Sequence, residues 1–302
     1  MPWRKNDMKE HMIAVSVANL WTHPGSARQV DMSIAGNPAD PARWVHELSH
    51  ADRLELHEND LLQSQVLFGT TVWEVGKKDD WIKVVVPSQS TPKEINGYPG
   101  WIPARQLAAP LPKTDRMIEV RAKQGTLILD ETGEGIPLSY LTRLPLAHES
   151  GTAFTVLTPL GPGRISKSES GFCAKRQESG SELIAYAEQF IGLDYLWGGM
   201  SSWGYDCSGF AYNMHLAGGY TIPRDASAQA LEGKPIALNQ AEPGDLLFFA
   251  YEAGKGSIHH VGFYHGNGKM LHAPKTGKQI EILDLADTVY ETELCAIRRY
   301  WN

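Results

Sequence analysis

The sequence predicts an all-β N-terminal half followed by an α+β domain, in a chain of 302 residues that is long enough for two or three domains. Residues 12–175 consist mainly of short strand-like runs separated by glycine and proline turns. Residues 182–191 and the run after Cys207 instead place apolar side chains at helical spacing. Residues 259–273 return to strand-like alternation around a Gly-Asn-Gly turn, which is typical of a β-hairpin.

Composition and charge are those of an ordinary folded protein. Hydrophobic residues make up 42% of the chain, enough for proper cores, and charged residues make up 21%. The net charge of -7 argues against a nucleic-acid partner. No run approaches the ~20 apolar residues of a membrane span. We therefore expect neither nucleic acid as a partner nor a membrane-spanning segment.

The N-terminal sequence and the number of cysteines indicate the cellular compartment of the protein. The first eleven residues carry no apolar stretch of the kind that a signal peptide requires. The three cysteines, Cys173, Cys207 and Cys295, cannot all pair with one another, which suits a reducing compartment and leaves a free thiol. We expect a cytoplasmic protein; the alternative is an exported protein whose leader has been removed.

The first predicted domain covers residues 1–110 and contains a helical insertion. The insertion covers about residues 26–62, where Pro41–Asn59 has apolar residues at helical spacing but does not fit one continuous helix. The strands of this domain are expected at Ile13–Trp21, Ser64–Phe68, Thr71–Val75, Trp81–Pro87 and Gly100–Pro103.

A second all-β domain is predicted at residues 111–175, after the boundary sequence Pro110-Leu111-Pro112. Gly161–Gln177, rich in glycine, serine and basic residues, is expected to connect it to a third domain at residues 176–302. The first helix of the third domain is expected at Glu182–Ile191. The second domain's strands are expected to include Met117–Val120, Thr126–Leu129 and Ala153–Thr158.

Cys207 is the candidate nucleophile of the third domain. It follows a glycine-rich stretch and precedes apolar residues at helical spacing, so we expect it in the first turn of a helix. Asp206 or Ser208 would lie near the cap. The helix dipole and the unpaired amides at that position favour a thiolate, which is the nucleophilic form of cysteine.

Two histidines follow on the predicted hairpin. Val261 and Phe263 share one face of its first strand, so His260 lies on the other face, and His259 is expected to face inward with the core. The Gly-Asn-Gly turn should bring His260 and His272 opposite each other, within about one residue of register. Two neighbouring imidazoles can act as a general base and its orienting partner.

These motifs resemble the NlpC/P60 family of cell-wall cysteine peptidases over roughly residues 180–302. The matching segments are Tyr195–Gly199, Asp206–Gly209, Pro243–Leu246, His260–Tyr264 and His272-Ala273. The resemblance implies an α+β papain-like catalytic domain with Cys207 as nucleophile, His260 as general base and His272 as the third polar residue. It also implies that Tyr195 helps the backbone amide of Cys207 to hold the oxyanion.

The two all-β domains resemble bacterial SH3-like barrels, the second more divergent than the first. In the first domain the matching segments are Asn19-Leu20-Trp21, Leu67-Phe68-Gly69, Trp81–Val86 and Gly100–Pro103. Two SH3-like barrels before an NlpC/P60 domain resemble the γ-D-glutamyl-L-diamino acid endopeptidases of the YkfC type. These cleave murein-derived peptides after γ-D-Glu when the peptide begins with a free L-Ala, and they release L-Ala-D-Glu in cell-wall recycling.

The resemblance to this subgroup also implies substrate-binding residues. Asp225 matches an aspartate that meets the substrate's amine, although the subgroup often has Asp-Ser where this chain has Asp-Ala. Tyr98 matches a tyrosine of the first barrel that closes the same end of the groove, and Gln63 lies near the place of an acidic residue. No cofactor is implied, and either meso-diaminopimelate or L-Lys fits as the third residue of the peptide. Further substrate contacts are expected from Trp197, Asp206, Ser208 and Ser227.

The same residues allow other interpretations. One alternative is a metal hydrolase, whose ligands would have to come from His259, His260, His265, His272 and Asp206. The sequence lacks a compact metal-ligand motif, so no metal is expected. Cys173 and Cys295 are expected to be buried small hydrophobes, and Asp225 could instead cap a helix. The alternative functions are a wall-remodelling endopeptidase without a free-amine requirement and a wall-binding protein that acts through its SH3-like domains.

Overall fold

The computed structural model describes residues 8–302. Residues 1–7, which carry most of the segment used for the signal-peptide prediction, lie outside the described residues. Two compact units are present: one comprises residues up to 88, 93–174 and 201–203, and the other 89–92, 175–200 and 204–302. Among residues 8–302, no helix is long and apolar enough to cross a membrane.

The first unit contains two antiparallel sheets of seven strands each. The first sheet has the order β3-β2-β6-β5-β4-β1-β7. Its strands are β1 (Lys9–Ile13), β2 (Val17–Trp21), β3 (Leu62–Leu67), β4 (Thr71–Lys78), β5 (Trp81–Val86), β6 (Tyr98–Pro103) and β7 (Leu107–Ala108). The strand predicted at Ile13–Trp21 is divided, because Ile13 ends β1 and Val17 begins β2.

The insertion between β2 and β3 is helical, as predicted. It contains α1 (Met32–Ala35), α2 (Pro41–Glu47) and α3 (His50–Glu58). The helical segment divides at Leu48, which is extended, and Ser49 then caps α3 in a capping box with Asp52. The cap explains why the periodic pattern did not fit a single helix.

The second sheet has the order β10-β9-β13-β12-β11-β8-β14. Its strands are β8 (Met117–Val120), β9 (Gln124–Leu129), β10 (Gly135–Ser139), β11 (Arg143–Ser150), β12 (Ala153–Val156), β13 (Gly163–Ser166) and β14 (Ser170–Phe172). When each sheet's strands are counted from its own first strand, the two orders are identical. Alternate residues of β9 are buried, as expected for a strand with one face on a core.

The connector predicted at Gly161–Gln177 is wrong in its first part, because β13 and β14 lie inside it. Ile165 is buried in the core of the second sheet. Gly163 lies so close to the neighbouring β9 backbone that a Cβ atom would come within 2.8 Å of the Ile128 carbonyl oxygen. Glycine here allows two strands to pack closely. The composition of a glycine-rich segment does not by itself distinguish such a strand from a flexible linker.

The second unit contains the α+β part of the chain. Its helices are α4 (Gly180–Glu188), α5 (Cys207–Ala217), α6 (Ala226–Gln229), α7 (Tyr251–Gly254) and α8 (Val289–Glu293). The strands within residues 200–302 are β15 (Met200–Ser201), β16 (Gly204–Tyr205), β17 (Lys234–Pro235), β18 (Leu246–Ala250), β19 (Ile258–Gly266), β20 (Lys269–His272), β21 (Glu281–Asp284) and β22 (Leu294–Arg299). The last six form an antiparallel sheet in the order β17-β22-β18-β19-β20-β21, and α5 packs against β19.

Candidate active site

Cys207 is the first residue of α5, as the sequence predicts. Asp206 is the N-cap, and its carboxylate accepts a hydrogen bond from the backbone N–H of Gly209 at 2.6 Å. The backbone at Gly199 approaches Gly209 so closely that no side chain fits between them: a Cβ on Gly209 would lie 2.2 Å from the Gly199 carbonyl oxygen. The glycines around the cysteine therefore allow the preceding loop to pack directly on the start of the helix.

The cap is held by a buried arginine whose role the sequence analysis missed. Arg224 donates from its two terminal nitrogens to the two carboxylate oxygens of Asp206, at 3.1 and 2.6 Å, and to Ser208 Oγ at 2.9 Å. Ser208 Oγ also donates to Asp206 at 3.1 Å. Asp206 and Ser208 are each 6% exposed. The polar atoms of both side chains thus hold the start of α5, and their contact with substrate stays a prediction.

The environment of Cys207 changes the expected state of the thiol. The residue keeps intermediate exposure. Burial, followed by the nearby charge of Asp206, raises the pKa of the Cys207 thiol to about 12, and this outweighs the backbone hydrogen bonds of Val261 and Ser208 and the charge of Arg224. The direction of this shift favours the thiol over the thiolate, which is opposite to the expected effect of the helix N-terminus.

His260 and His272 lie together, buried and hydrogen-bonded. His260 Nε2 is 2.7 Å from His272 Nδ1, and the two residues are 3% and 1% exposed. The register Phe263↔Leu271, continued by one residue, places Gly262 opposite His272, so the two imidazoles are diagonal neighbours on one face of the sheet. A Cβ on Gly262 would lie 2.5 Å from Met270 Sδ and 3.0 Å from the Cβ of His272, so glycine allows the side chains of β20 to pack closely here. The predicted face is correct, whereas the pairing differs from the predicted one by two residues, because His272 lies opposite Gly262 and not opposite His260.

Burial also determines the charge state of these histidines. It lowers the pKa of His272 to about 4 and, with the charges of His272 and His259, lowers the pKa of His260 well below its ordinary value. Both imidazoles are therefore neutral near pH 7. A neutral imidazole can accept the proton of a thiol, which is the role expected of a general base.

His259 and His265 serve other contacts. His259 Nε2 is 3.0 Å from Glu293 Oε2, and its ring stacks on Tyr251 at 4.2 Å. His259 is partly exposed, because a register shift between β18 and β19 at this point interrupts the alternation that would have turned it inward. His265 pairs with Glu188 at 2.8 Å. Within residues 8–302, no group of three or more potential metal ligands lies close enough to hold an ion.

Two tyrosines lie beside the cysteine and the histidines. Tyr195 is buried, and burial together with the charge of Cys207 raises its pKa well above the ordinary value. Tyr290, which no motif indicated, lies with its ring 5.3 Å from that of His260 and 5.4 Å from that of His272. Burial and the charge of Cys207 raise the pKa of Tyr290 to about 12. Both phenols are therefore neutral and able to donate hydrogen bonds.

The remaining predicted substrate contacts lie in three places. Asp225 precedes α6, and its side chain makes no capping hydrogen bond to that helix. Ser227 is exposed on α6, and Trp197 is half-buried in the loop before β15. Tyr98 belongs to the first unit, where it is 2% exposed and its hydroxyl accepts a hydrogen bond from Lys93 Nζ.

Lys93 and Gln63 complete the surroundings of Tyr98. The Lys93 ammonium lies 4.5 Å from the centre of the Tyr98 ring and donates to Gln63 Oε1 at 3.1 Å. A positive charge thus lies where the resemblance led us to expect an acidic residue. Cys295 also differs from expectation, because it is exposed.

The two pKa shifts predict an unusual pH dependence. The productive form has one proton shared between Cys207 and His260, and it predominates from well below pH 6.5 to about pH 12. We expect kcat/KM to keep its plateau as the pH falls through 6.5 and to decline only below it, when His260 takes up a proton. Ultraviolet titration should show no thiolate of Cys207 between pH 5 and 9 when the protein is compared with Cys207→Ala. A thiolate signal already present at pH 6 would contradict this assignment.

Comparison with known proteins shows which families the chain resembles. The profile of the NlpC/P60 family matches residues 192–299, and that of the YKFC SH3b2 domain matches residues 120–171. A γ-D-glutamyl-L-lysine dipeptidyl-peptidase of Bacillus subtilis is 43% identical over 293 residues, which cover 97% of this chain and 99% of that protein. A protein of the same name from Bacillus cereus is 38% identical over 307 residues, covering 98% of this chain and 92% of that one.

Solved structures show the same relationship. The crystal structure of an NlpC/P60 family protein from Bacillus cereus superposes with a TM-score of 0.94 at 36% identity, covering 97% of this chain and all of that chain. The likeness therefore extends through both units and includes the segment that contains Cys207, His260 and His272. The chain belongs to the NlpC/P60 family of cysteine peptidases.

Proposed function

We propose that the protein hydrolyses the bond between γ-D-Glu and the L-diamino acid of murein-derived peptides that begin with a free L-Ala, releasing L-Ala-D-Glu. The observation that carries the proposal is the full-length similarity to two proteins named γ-D-glutamyl-L-lysine dipeptidyl-peptidase. It is supported by the thiol at the start of α5 and by the hydrogen-bonded, neutral histidine pair.

The chemistry follows from the protonation states of the site. As the sulfur of Cys207 attacks the γ-carbonyl carbon of D-Glu, His260 accepts the thiol proton, so a thiolate forms only during attack. The backbone amide of Cys207 and the phenol of Tyr195 would stabilise the oxyanion, each such donor contributing about 3 kcal/mol. His260 then protonates the departing amine as the C–N bond breaks. Water, deprotonated by His260, cleaves the thioester and restores the thiol.

The proposed organisation has three domains, at residues 1–110, 111–175 and 176–302. The identical strand orders of the two seven-stranded sheets support a duplicated SH3-like barrel, because the profile match covers only the second of them. An antiparallel sheet with the nucleophile on the helix packed against it supports a papain-like third domain. Since the odd number of cysteines suits a reducing compartment, we include a cytoplasmic site of action in the proposal.

Recognition of the substrate's free amine is assigned to Asp225. The resemblance described above places an aspartate at this position against the amine, and a carboxylate is the natural partner of an ammonium group. Tyr98 already holds the Lys93 ammonium, which has the same charge as the substrate amine. The role of Tyr98 stays a prediction from the resemblance alone, and the negative charge is assigned to Asp225.

The test compares L-Ala-γ-D-Glu-diaminopimelate, the same peptide with L-Lys, and their N-acetylated forms by mass spectrometry. We expect L-Ala-D-Glu to be released from the free-amine peptides alone. For Asp225→Asn we expect kcat/KM on these peptides to fall about 10²-fold, with the preference over acetylated peptides lost, because the ammonium loses its charged partner. Asp287→Asn, the same change at an exposed position, should leave both values unaltered.

The other outcomes separate the alternatives. Cleavage of free and acetylated peptides at similar rates would remove the amine requirement and favour a wall-remodelling endopeptidase. Cleavage of no peptide, together with retention on murein sacculi, would favour a wall-binding protein. An unchanged free-amine preference in Asp225→Asn would move the recognition of the ammonium to another residue.

A further inference from the structure

The hydrogen bond between the two histidines fixes where their protons lie. For His260 to accept the Cys207 proton at Nδ1, its Nε2 must carry a proton and donate to His272 Nδ1, which is 2.7 Å away. His272 then carries its own proton on Nε2. Within residues 8–302, that buried Nε2 has no hydrogen-bond partner, although His272 is only 1% exposed. A buried N–H without an acceptor is costly, and it points to a missing partner.

The neighbouring strand offers an acceptor. His272 and Glu281 are direct partners in the register of β20 and β21, so their side chains leave the sheet on the same face. Glu281 Oε1 lies 3.9 Å from His272 Nε2, beyond hydrogen-bond distance, and the Glu281 side chain is 49% exposed. A small rotation of this partly exposed side chain, or one bridging water, would complete the contact.

The other groups around the pair do not supply this acceptor. Tyr290 of α8 presents its ring to both imidazoles. His259 lies beside His260 on β19 and is paired with Glu293 of α8. Cys207 of α5 is the proposed proton donor to His260, so it belongs to the opposite end of the chain of hydrogen bonds. Glu281 is thus the carboxylate that faces the far end of the histidine pair.

We propose that Glu281 is a positioning residue for catalysis: it accepts the Nε2 proton of His272, holds that ring in the tautomer that His260 requires, and stabilises the positive charge that forms on the pair. This inference rests on the proposed roles of Cys207 and His260. It extends the site to a fourth side chain, in the order Cys207, His260, His272 and Glu281. The chain of hydrogen bonds couples a partly exposed carboxylate to a buried base.

Kinetics of three variants at position 281 test the proposal. We expect kcat to fall about 3- to 10-fold in Glu281→Gln, which keeps an acceptor but loses the charge, and further in Glu281→Ala, with KM little changed. Glu281→Asp should recover part of the loss. Removal of the negative charge makes the imidazolium less stable, so the acid limb of kcat/KM should move to lower pH in Glu281→Gln. Asp284→Asn, which loses a carboxylate from the same strand, is the matched control and should behave as wild type.

A spectroscopic measurement separates this inference from the proposed reaction. In ¹⁵N-histidine NMR spectra, His272 should be protonated on Nε2 in the wild-type protein and in Cys207→Ala, and Glu281→Ala should shift its tautomer equilibrium toward Nδ1–H. If Cys207→Ala still cleaves, the proposed mechanism fails, whereas the NMR comparison still decides the role of Glu281. Unchanged His272 shifts in Glu281→Ala, or kinetics of the position-281 variants indistinguishable from those of Asp284→Asn, would overturn the inference.

Discussion

Cys207→Ala is expected to abolish peptide cleavage, with kcat falling on the order of 10⁴-fold or more, as when other catalytic nucleophiles are removed. The thioester cannot form without the sulfur of Cys207, the first residue of α5. Peptide binding should persist, because Arg224 and Asp206 hold the helix start without using the sulfur. Turnover measured by mass spectrometry and binding measured by calorimetry check the two parts separately.

Cys295 offers a control for the removal of a cysteine side chain. Cys295 is exposed and lies on β22, so Cys295→Ala should cleave at the wild-type rate. Thiol alkylation should inactivate the wild-type protein and Cys295→Ala equally. Residual cleavage by Cys207→Ala at more than a thousandth of the wild-type rate would exclude Cys207 as the nucleophile.

The residues predicted from sequence share a local signal. Cys207 was found because a glycine-rich loop turns into an apolar helix, and both features are visible within ten residues. His260 and His272 were found because period-two alternation and a Gly-Asn-Gly turn fix which face of a hairpin each residue occupies. The exact register was not predictable, since it depends on how the irregular turn and its bulge are accommodated.

The residues that were missed depend on contacts distant in sequence. Arg224 meets Asp206 across eighteen positions of loop and helix, and nothing in its local sequence distinguishes it from a surface arginine. Tyr290 and Glu281 reach the histidines only because α8 and β21 fold back onto the sheet. Such groups are recognised from the packed structure, where burial and distance can be measured.

Burial also reversed an inference drawn from local structure. A helix N-terminus favours a thiolate, because its dipole and unpaired amides stabilise the negative charge. At Cys207 the surrounding protein and the Asp206 carboxylate act in the opposite direction and raise the thiol pKa to about 12. Because the degree of burial is a tertiary property, the sequence predicted the position of the nucleophile but not its resting protonation state.

Arg224→Met is expected to lower the free energy of unfolding by about 3–5 kcal/mol, because it leaves the Asp206 carboxylate buried without its partner. The side chains of Arg224 and Asp206 are 2% and 9% exposed, so water cannot replace the lost hydrogen bonds. Equilibrium urea unfolding of the full chain measures the change. Activity should fall as well, since Asp206 also accepts from Gly209 and thereby fixes the first turn that carries Cys207.

An exposed ion pair provides the comparison. Arg43 pairs with Glu47 one helical turn away, and both side chains are well exposed. Arg43→Met should change the free energy of unfolding by no more than about 0.5 kcal/mol. Equal losses in Arg43→Met and Arg224→Met would show that the effect does not come from burying an unpaired charge.

The double variant Arg224→Met with Asp206→Asn distinguishes charge from packing. Asparagine keeps a side-chain oxygen for the Gly209 N–H and is as good an N-cap as aspartate, but it buries no charge. We therefore expect the double variant to regain most of the stability that Arg224→Met loses. If it regains none, the guanidinium acts mainly by filling space and bonding Ser208. If stability returns while activity does not, the buried ion pair serves chiefly to orient Cys207, which would explain why a costly arrangement of charge lies directly beneath the nucleophile.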